Sequence, residues 1–147
     1  MNPNTATPKH VLLADDDEDD RIFFREALDE IPVPTSLSSV NDGDELMQFL
    51  NRDNRVADVL FLDLNMPGRN GKDCLREIRM FHHLNKLPVI IFSTSANHKD
   101  VDEAFSLGAD LYLQKPSGYS LMVQQLQKVL MIDWVRFNRD RRNFLFS

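Results

Sequence analysis

Apolar positions along this chain come in short unbroken runs separated by longer stretches in which they are spaced. Val11-Leu12-Leu13-Ala14, Val59-Leu60-Phe61-Leu62 and Val89-Ile90-Ile91-Phe92 are apolar at every position, and Leu111-Tyr112-Leu113 is a shorter run of the same kind. Runs without alternation predict parallel strands covered on both faces. Ser36 to Val40 is more polar and is expected at a sheet edge. The stretches between carry helical spacing. Phe24, Ala27, Leu28 and Ile31 repeat at i, i+3, i+4 and i+7, and Pro32 and Pro34 stop that helix. Leu46, Phe49 and Leu50 mark a second helix; Leu75, Ile78 and Phe81 a third; Val101, Ala104, Phe105 and Gly108 a fourth; Met122, Leu126, Val129 and Leu130 a fifth. Five strands alternating with five helices predict an α/β domain with an open, doubly wound sheet and right-handed crossovers.

The residues just past each strand carry the chemistry. The first run opens into Asp15-Asp16-Asp17. The second ends at Asp63, succeeded by Leu64-Asn65-Met66-Pro67-Gly68 and Gly71. The third leads to Ser93 and the fourth to Lys115-Pro116. In an open parallel sheet, ligands sit outside the carboxyl ends of the strands. Acids, a hydroxyl and a lysine are therefore expected to converge on one edge. Crowded carboxylates are tolerated when a hard cation sits among them, and oxygen-only ligation suits Mg²⁺. A carboxylate can also attack phosphorus to give an aspartyl phosphate. That chemistry depends on positioning and charge neutralisation, which Mg²⁺ and Lys115 would share, with Ser93 donating a hydrogen bond to a phosphoryl oxygen.

Composition narrows the setting. A chain of 147 residues is one domain of ordinary size, and 42 % hydrophobic residues with one tryptophan fit a soluble protein. No apolar stretch approaches the roughly 20 residues of a membrane span, and Met1 to Lys9 holds no hydrophobic signal segment. The single cysteine, Cys74, excludes an internal disulfide and reads as a small buried hydrophobe. Together these features give the expectation of a cytoplasmic protein. The net charge of −6 disfavours nonspecific binding to nucleic acid.

The four strand-end motifs, in this order, resemble the receiver domain of two-component response regulators over residues 9–131. The resemblance implies a flavodoxin-like five-stranded parallel sheet, order 2-1-3-4-5, with five helices. It implies that Asp63 accepts a phosphoryl group from a sensor histidine kinase. Asp15 and Asp16 would hold Mg²⁺, Asp16 directly and Asp15 partly through water, with Asp63 and the main-chain carbonyl of Asn65 as further ligands. Ser93 would bind the phosphoryl group and shift on activation, and Tyr112 would be the switch aromatic. Lys115 would contact the phosphoryl oxygens, through a Lys115–Pro116 bond expected to be cis. Ser93 stands where threonine is commoner, Thr94 stands beside it where alanine is common, and Asn65 and Ser95 flank the site. The domain would be a phosphoacceptor that assists its own phosphorylation and dephosphorylation, switching a face made of the fourth helix, last strand and last helix.

Other readings compete. Acids favour a helix N-terminus, which accounts for Glu18, Asp19 and Asp20 but poorly for Asp15 and Asp16 against a buried strand. An intermediate phosphorelay carrier is the nearest alternative. A Mg²⁺-dependent phosphohydrolase would want a second acid close after Asp63, where Asn65 stands. A flavin or nucleotide module would want a Ser/Gly-rich loop after the first strand, where the acidic run stands. An inactive scaffold receiver would not need the full active-site set. His10, His82, His83 and His98 lie outside the motifs and read as structural or surface groups. Residues 1–8 read as a flexible lead. Residues 132–147 carry Trp134, Phe137, Phe144 and Phe146 with four arginines. They are too few for a DNA-binding domain. They are expected either to pack on their own domain, ending strand-like, or to form a docking or homodimerisation element. The output would then be a contact with a downstream protein.

Overall fold

The computed structural model describes residues 8–52 and 57–146. The expected N-terminal lead lies, apart from Pro8, outside the described residues. Strands and helices succeed one another in strict order: β1 (Lys9–Ala14), α1 (Glu18–Asp29), β2 (Thr35–Val40), α2 (Gly43–Arg52), β3 (Val59–Leu62), α3 (Gly71–Met80), β4 (Val89–Ser93), α4 (His98–Ser106), β5 (Leu111–Gln114) and α5 (Tyr119–Leu130). A 3-10 turn (Arg141–Asn143) and a two-residue strand, β6 (Leu145–Phe146), complete the chain. The sheet order is β2-β1-β3-β4-β5-β6 and every pairing is parallel.

Pleating sends successive residues of each central strand to opposite faces. Val11, Leu13, Val59, Phe61, Ile90 and Phe92 meet α1 and α5 on one side. Leu12, Ala14, Leu60, Leu62, Val89 and Ile91 meet α2, α3 and α4 on the other. This two-sided cover is why the runs read apolar at every position. On the α1 side Phe24, Phe61 and Phe92 form a trio of edge-on rings with centroids 5.1–6.1 Å apart. Four helices begin with side-chain caps: Asp17 accepts from the Asp20 N–H, Asp42 from Glu45, Asn70 from Asp73 and Asn97 from Asp100.

Two expectations are corrected. The sheet has six strands rather than five, because the end of the tail adds β6 beside β5, pairing Leu145 with Tyr112 and Phe146 with Leu113. The Lys115–Pro116 bond is trans, as are all described peptide bonds. Trans is the lower-energy isomer of an X–Pro bond by about 0.5–1 kcal/mol, and here the local fold does not override that preference. α3 ends at Met80, and His82 and His83 lie in the turn after it. Among the described residues no helix is long and apolar enough to cross a membrane.

The tail crosses both faces of the domain. Trp134, Phe137 and Phe146 pack against the α1–α5 side, whereas Phe144 is fully buried on the α4 side. Its ring lies 5.1 Å from Phe105 and 6.1 Å from Tyr112. Arg139 hydrogen-bonds the carbonyls of Ala109 and Phe105 at the end of α4, and Arg141 pairs with Asp102 of α4 at 2.5 Å. Arg139 and Arg141 thus meet acceptors of their own domain, whereas Arg136 and Arg142 are exposed and pair within the tail, with Asp133 and Asp140.

Candidate functional site

The strands carry their terminal residues to one edge and fix them through the neighbouring strand. The Asp15 N–H bonds to the Val40 carbonyl at 3.1 Å, the Asp63 N–H to the Ala14 carbonyl at 3.0 Å, and the Lys115 N–H to the Ser93 carbonyl at 2.8 Å. Each functional side chain therefore leaves a backbone already held by the sheet. Gly71 lets α3 begin directly against the third strand end: a Cβ there would lie 2.3 Å from the Asp63 carbonyl oxygen.

Asp15, Asp63 and Ser93 are buried, while Asp16 and Asn65 are exposed. One carboxylate oxygen from each of Asp15, Asp16 and Asp63 falls within 4.8 Å of the others. Three hard oxygen donors, one facing solvent, suit an oxygen-seeking divalent cation that keeps several waters. One oxygen of each buried carboxylate is already engaged. Asp15 Oδ1 accepts the Asp17 N–H at 3.0 Å, and Asp63 Oδ1 accepts the Asn65 N–H at 3.1 Å.

Lys115 Nζ sits among three carboxylates: 2.8 Å from Asp15 Oδ2, 2.8 Å from Asp20 Oδ2 and 3.3 Å from Asp63 Oδ2. Toward Asp15 the approach lacks hydrogen-bond direction and acts as an ion pair. Burial alone would push the ammonium down, but the Asp15 and Asp20 carboxylates, with the charge of Asp63, hold it well above the usual lysine range. For Asp63 the balance goes the other way. Burial raises it to about 6, and the Asn65 N–H and Lys115 offset this only partly, while Asp15 adds repulsion.

The Ser93 hydroxyl accepts the Ser95 N–H at 3.3 Å, and Thr94 beside it is exposed. Tyr112, fully buried, donates its phenol to the Ser95 carbonyl at 2.6 Å. Burial raises the pKa of this phenol above the usual tyrosine range. Ser95 also donates to Asp100 at 2.8 Å, and Lys72 of α3 bonds both Asp100 and Glu103, at 2.9 and 2.6 Å. The loop after Ser93 is thereby tied to α3, α4 and β5 together. The structure brings Asp15, Asp16, Asp63 and Lys115 into one constellation, with Ser93 and Tyr112 joined to each other through Ser95.

Asp20 is the residue that sequence reasoning assigns elsewhere, as a solvated acid of the first helical turn. Its contact with Lys115 is as short as that of Asp15. The available signal is its place in the first turn of the helix that opens directly from the acidic strand end.

A family model described as the response regulator receiver domain matches residues 11–127. Response regulator Rcp1 of Synechocystis sp. is 28 % identical over 134 residues, covering 88 % of this chain and 91 % of its own. The chemotaxis protein CheY of Pseudomonas aeruginosa is 29 % identical over 119 residues, 81 % of this chain and 94 % of its own. Among solved structures, that of the phosphorylated cyanobacterial phytochrome response regulator RcpA aligns with a TM-score of 0.79 at 28 % identity, covering 90 % of this chain and 97 % of that one. The Mn²⁺-bound form of Rcp1 aligns with a TM-score of 0.77 at 26 % identity, covering 90 % and 99 %. With the match spanning every strand-end motif, this chain belongs to the response regulator receiver domain family of two-component systems.

Proposed function

We propose that this chain is a single-domain response regulator, with residues 9–131 as its receiver, that takes a phosphoryl group from a sensor histidine kinase onto Asp63. One observation carries the reading: a buried carboxylate at a strand end lies beside Lys115 at 3.3 Å and shares a metal-competent cluster with Asp15 and Asp16. In the transfer an Asp63 carboxylate oxygen bonds to phosphorus as the bond from phosphorus to the kinase's histidine nitrogen breaks. With acetyl phosphate the bond to acetate breaks instead. Mg²⁺ is the proposed metal, held by Asp15, Asp16, Asp63 and the Asn65 carbonyl, and when bound it neutralises phosphoryl charge. Lys115 supplies the remaining positive charge. Ser93 receives the phosphoryl group, and Tyr112 passes its movement to α4 and β5. The domain is a phosphoacceptor that assists its own phosphorylation and dephosphorylation.

The proposed setting is the cytoplasm and the proposed output a contact with a downstream protein. The segment 132–147 acts as the extension that shapes that contact. A homodimer is proposed on the same face, because Leu121 and Leu145 stand about half exposed beside β6. A light-scattering mass that stays at one chain across a concentration series would remove the dimer.

Acetyl phosphate with Mg²⁺ should add one phosphoryl mass to the intact chain, and Asp63→Asn should add none. An adduct of equal stability on the Asn variant would sink the assignment.

A further inference from the structure

An ammonium has three N–H donors, and that of Lys115 faces three carboxylates from three segments. They are Asp15 at the end of β1, Asp20 in the first turn of α1 and Asp63 at the end of β3. Two of these anchors have other duties under the receiver reading, on which this inference rests. Asp15 and Asp63 belong with Asp16 to the metal-competent group; Asp20 does not. A divalent cation claiming Asp15 and Asp63 draws their charge away from Lys115 and repels the ammonium. A phosphoryl group on Asp63 then replaces the charge of that carboxylate with charged phosphoryl oxygens set farther out, toward which the ammonium must turn. Asp20 alone is claimed by neither ligand.

We propose that Asp20 is a positioning residue that keeps the Lys115 ammonium beside Asp63 while metal and phosphoryl group occupy the other two anchors. Lys115 is nearly buried, its side chain 10 % exposed, so besides the phosphoryl oxygens it has few partners once Asp15 and Asp63 are taken. Asp20 is 42 % exposed and approaches from the solvent side of the site. Its place is fixed by its own main chain, whose N–H caps onto Asp17 at 3.0 Å. Glu18 and Asp19 share the helix start and its favourable dipole, yet both are exposed and neither pairs with Lys115.

Beryllofluoride, which stands in for the phosphoryl group on a carboxylate, tests the proposal by calorimetric titration in saturating Mg²⁺. Asp20→Asn should bind it on the order of threefold more weakly than wild type, the scale of a half-exposed ion pair. Asp20→Glu, which keeps the charge, should recover most of the loss. Asp19→Asn removes the same charge from the same helical turn without touching Lys115 and should bind as wild type does. If Asp20→Asn equals wild type, or if Asp19→Asn falls as far, Asp20 contributes only to the field of the helix start and the proposal is overturned. A wild-type chain that binds no beryllofluoride and gains no phosphoryl mass defeats the receiver reading itself, an outcome distinct from equal binding by the two chains.

Discussion

β5 is held by opposite chemistry at its carboxyl end and along its outer edge. Just past its end, Lys115 lies in a cluster of carboxylates that repel one another, balanced by one ammonium. Along its edge, Tyr112 donates its N–H to the Phe144 carbonyl at 2.9 Å, and Phe144 fills the space between Tyr112 and Phe105 with apolar surface. The first region is left with excess negative charge that a cation could answer. The second is already complete, with its aromatic ring seated and its backbone paired. Chemistry should therefore be lost at the first region with little loss of stability, and stability at the second with little loss of chemistry.

The sharpest break is Asp63→Asn. Burial already disfavours the Asp63 charge, so a neutral isostere removes the proposed nucleophile while relieving that cost. Phosphorylation from acetyl phosphate, read by intact mass, should vanish. Urea unfolding should shift by no more than about 1 kcal/mol, the usual scale for a substitution that opens no cavity.

Phe144→Ala should do the reverse. Emptying a fully buried phenylalanine site costs about 3–5 kcal/mol, and here it also uncovers the rings of Tyr112 and Phe105. The urea midpoint should fall sharply while Asp63 still takes a phosphoryl group in the folded fraction. A wild-type midpoint would mean that the tail does not stay on the domain.

How legible each region was in the sequence is a matter of its physics. The strand runs announced themselves because both faces of the sheet are covered, and the acids, Ser93 and Lys115 because strand ends are the one place a parallel sheet offers ligands. The tail strand was legible only as one of two readings, a strand-like end packed on its own domain, and nothing in the sequence decided between them. β6 is two residues long with Leu145 about half exposed, so neither length nor alternation marked it, and only the surplus of aromatics hinted that the segment would pack. Asp20 was hidden by a good local explanation, since an acid in a first helical turn needs no distant partner. The cis bond at Pro116 came from resemblance, and the backbone keeps the ordinary isomer.

Acidity separates the regions more gently. Asp63 raised to about 6 binds a proton more tightly in the folded chain than unfolded, where about 3.8 is its ordinary value. In chelator, its contribution thus favours folding fully below about pH 3.8 and fades as pH rises through 6. Metal binding runs the other way, because the cation needs the charged carboxylate. Apparent Mg²⁺ affinity should rise about tenfold between about pH 5 and pH 7, as expected for one ligand titrating near 6. A flat affinity profile over that range would show that Asp63 is already ionised at its acid end.

Tyr112 belongs to both regions and gives the smallest and most informative effect. Its ring rests on Phe144 of the tail, and its hydroxyl reaches the Ser95 carbonyl two residues past Ser93. Tyr112→Phe keeps the ring, so the tail stays seated, and deletes only the hydroxyl. The Ser95 carbonyl loses a donor, which costs about 1 kcal/mol where water replaces it only in part. That loss falls on the loop joining Ser93 to α4, which Lys72, Asp100 and Ser95 otherwise hold. Unfolding should shift by roughly that amount and acetyl phosphate labelling should persist. The amide shifts that beryllofluoride induces along α4 should shrink relative to wild type, because the loop keeps its Gln114–Thr94 contact with β5 but loses its tie to the Tyr112 side chain. If those shifts keep their full size, Ser93 and α4 communicate through the Lys72–Asp100 contacts alone, and the aromatic edge of β5 is a purely structural seam.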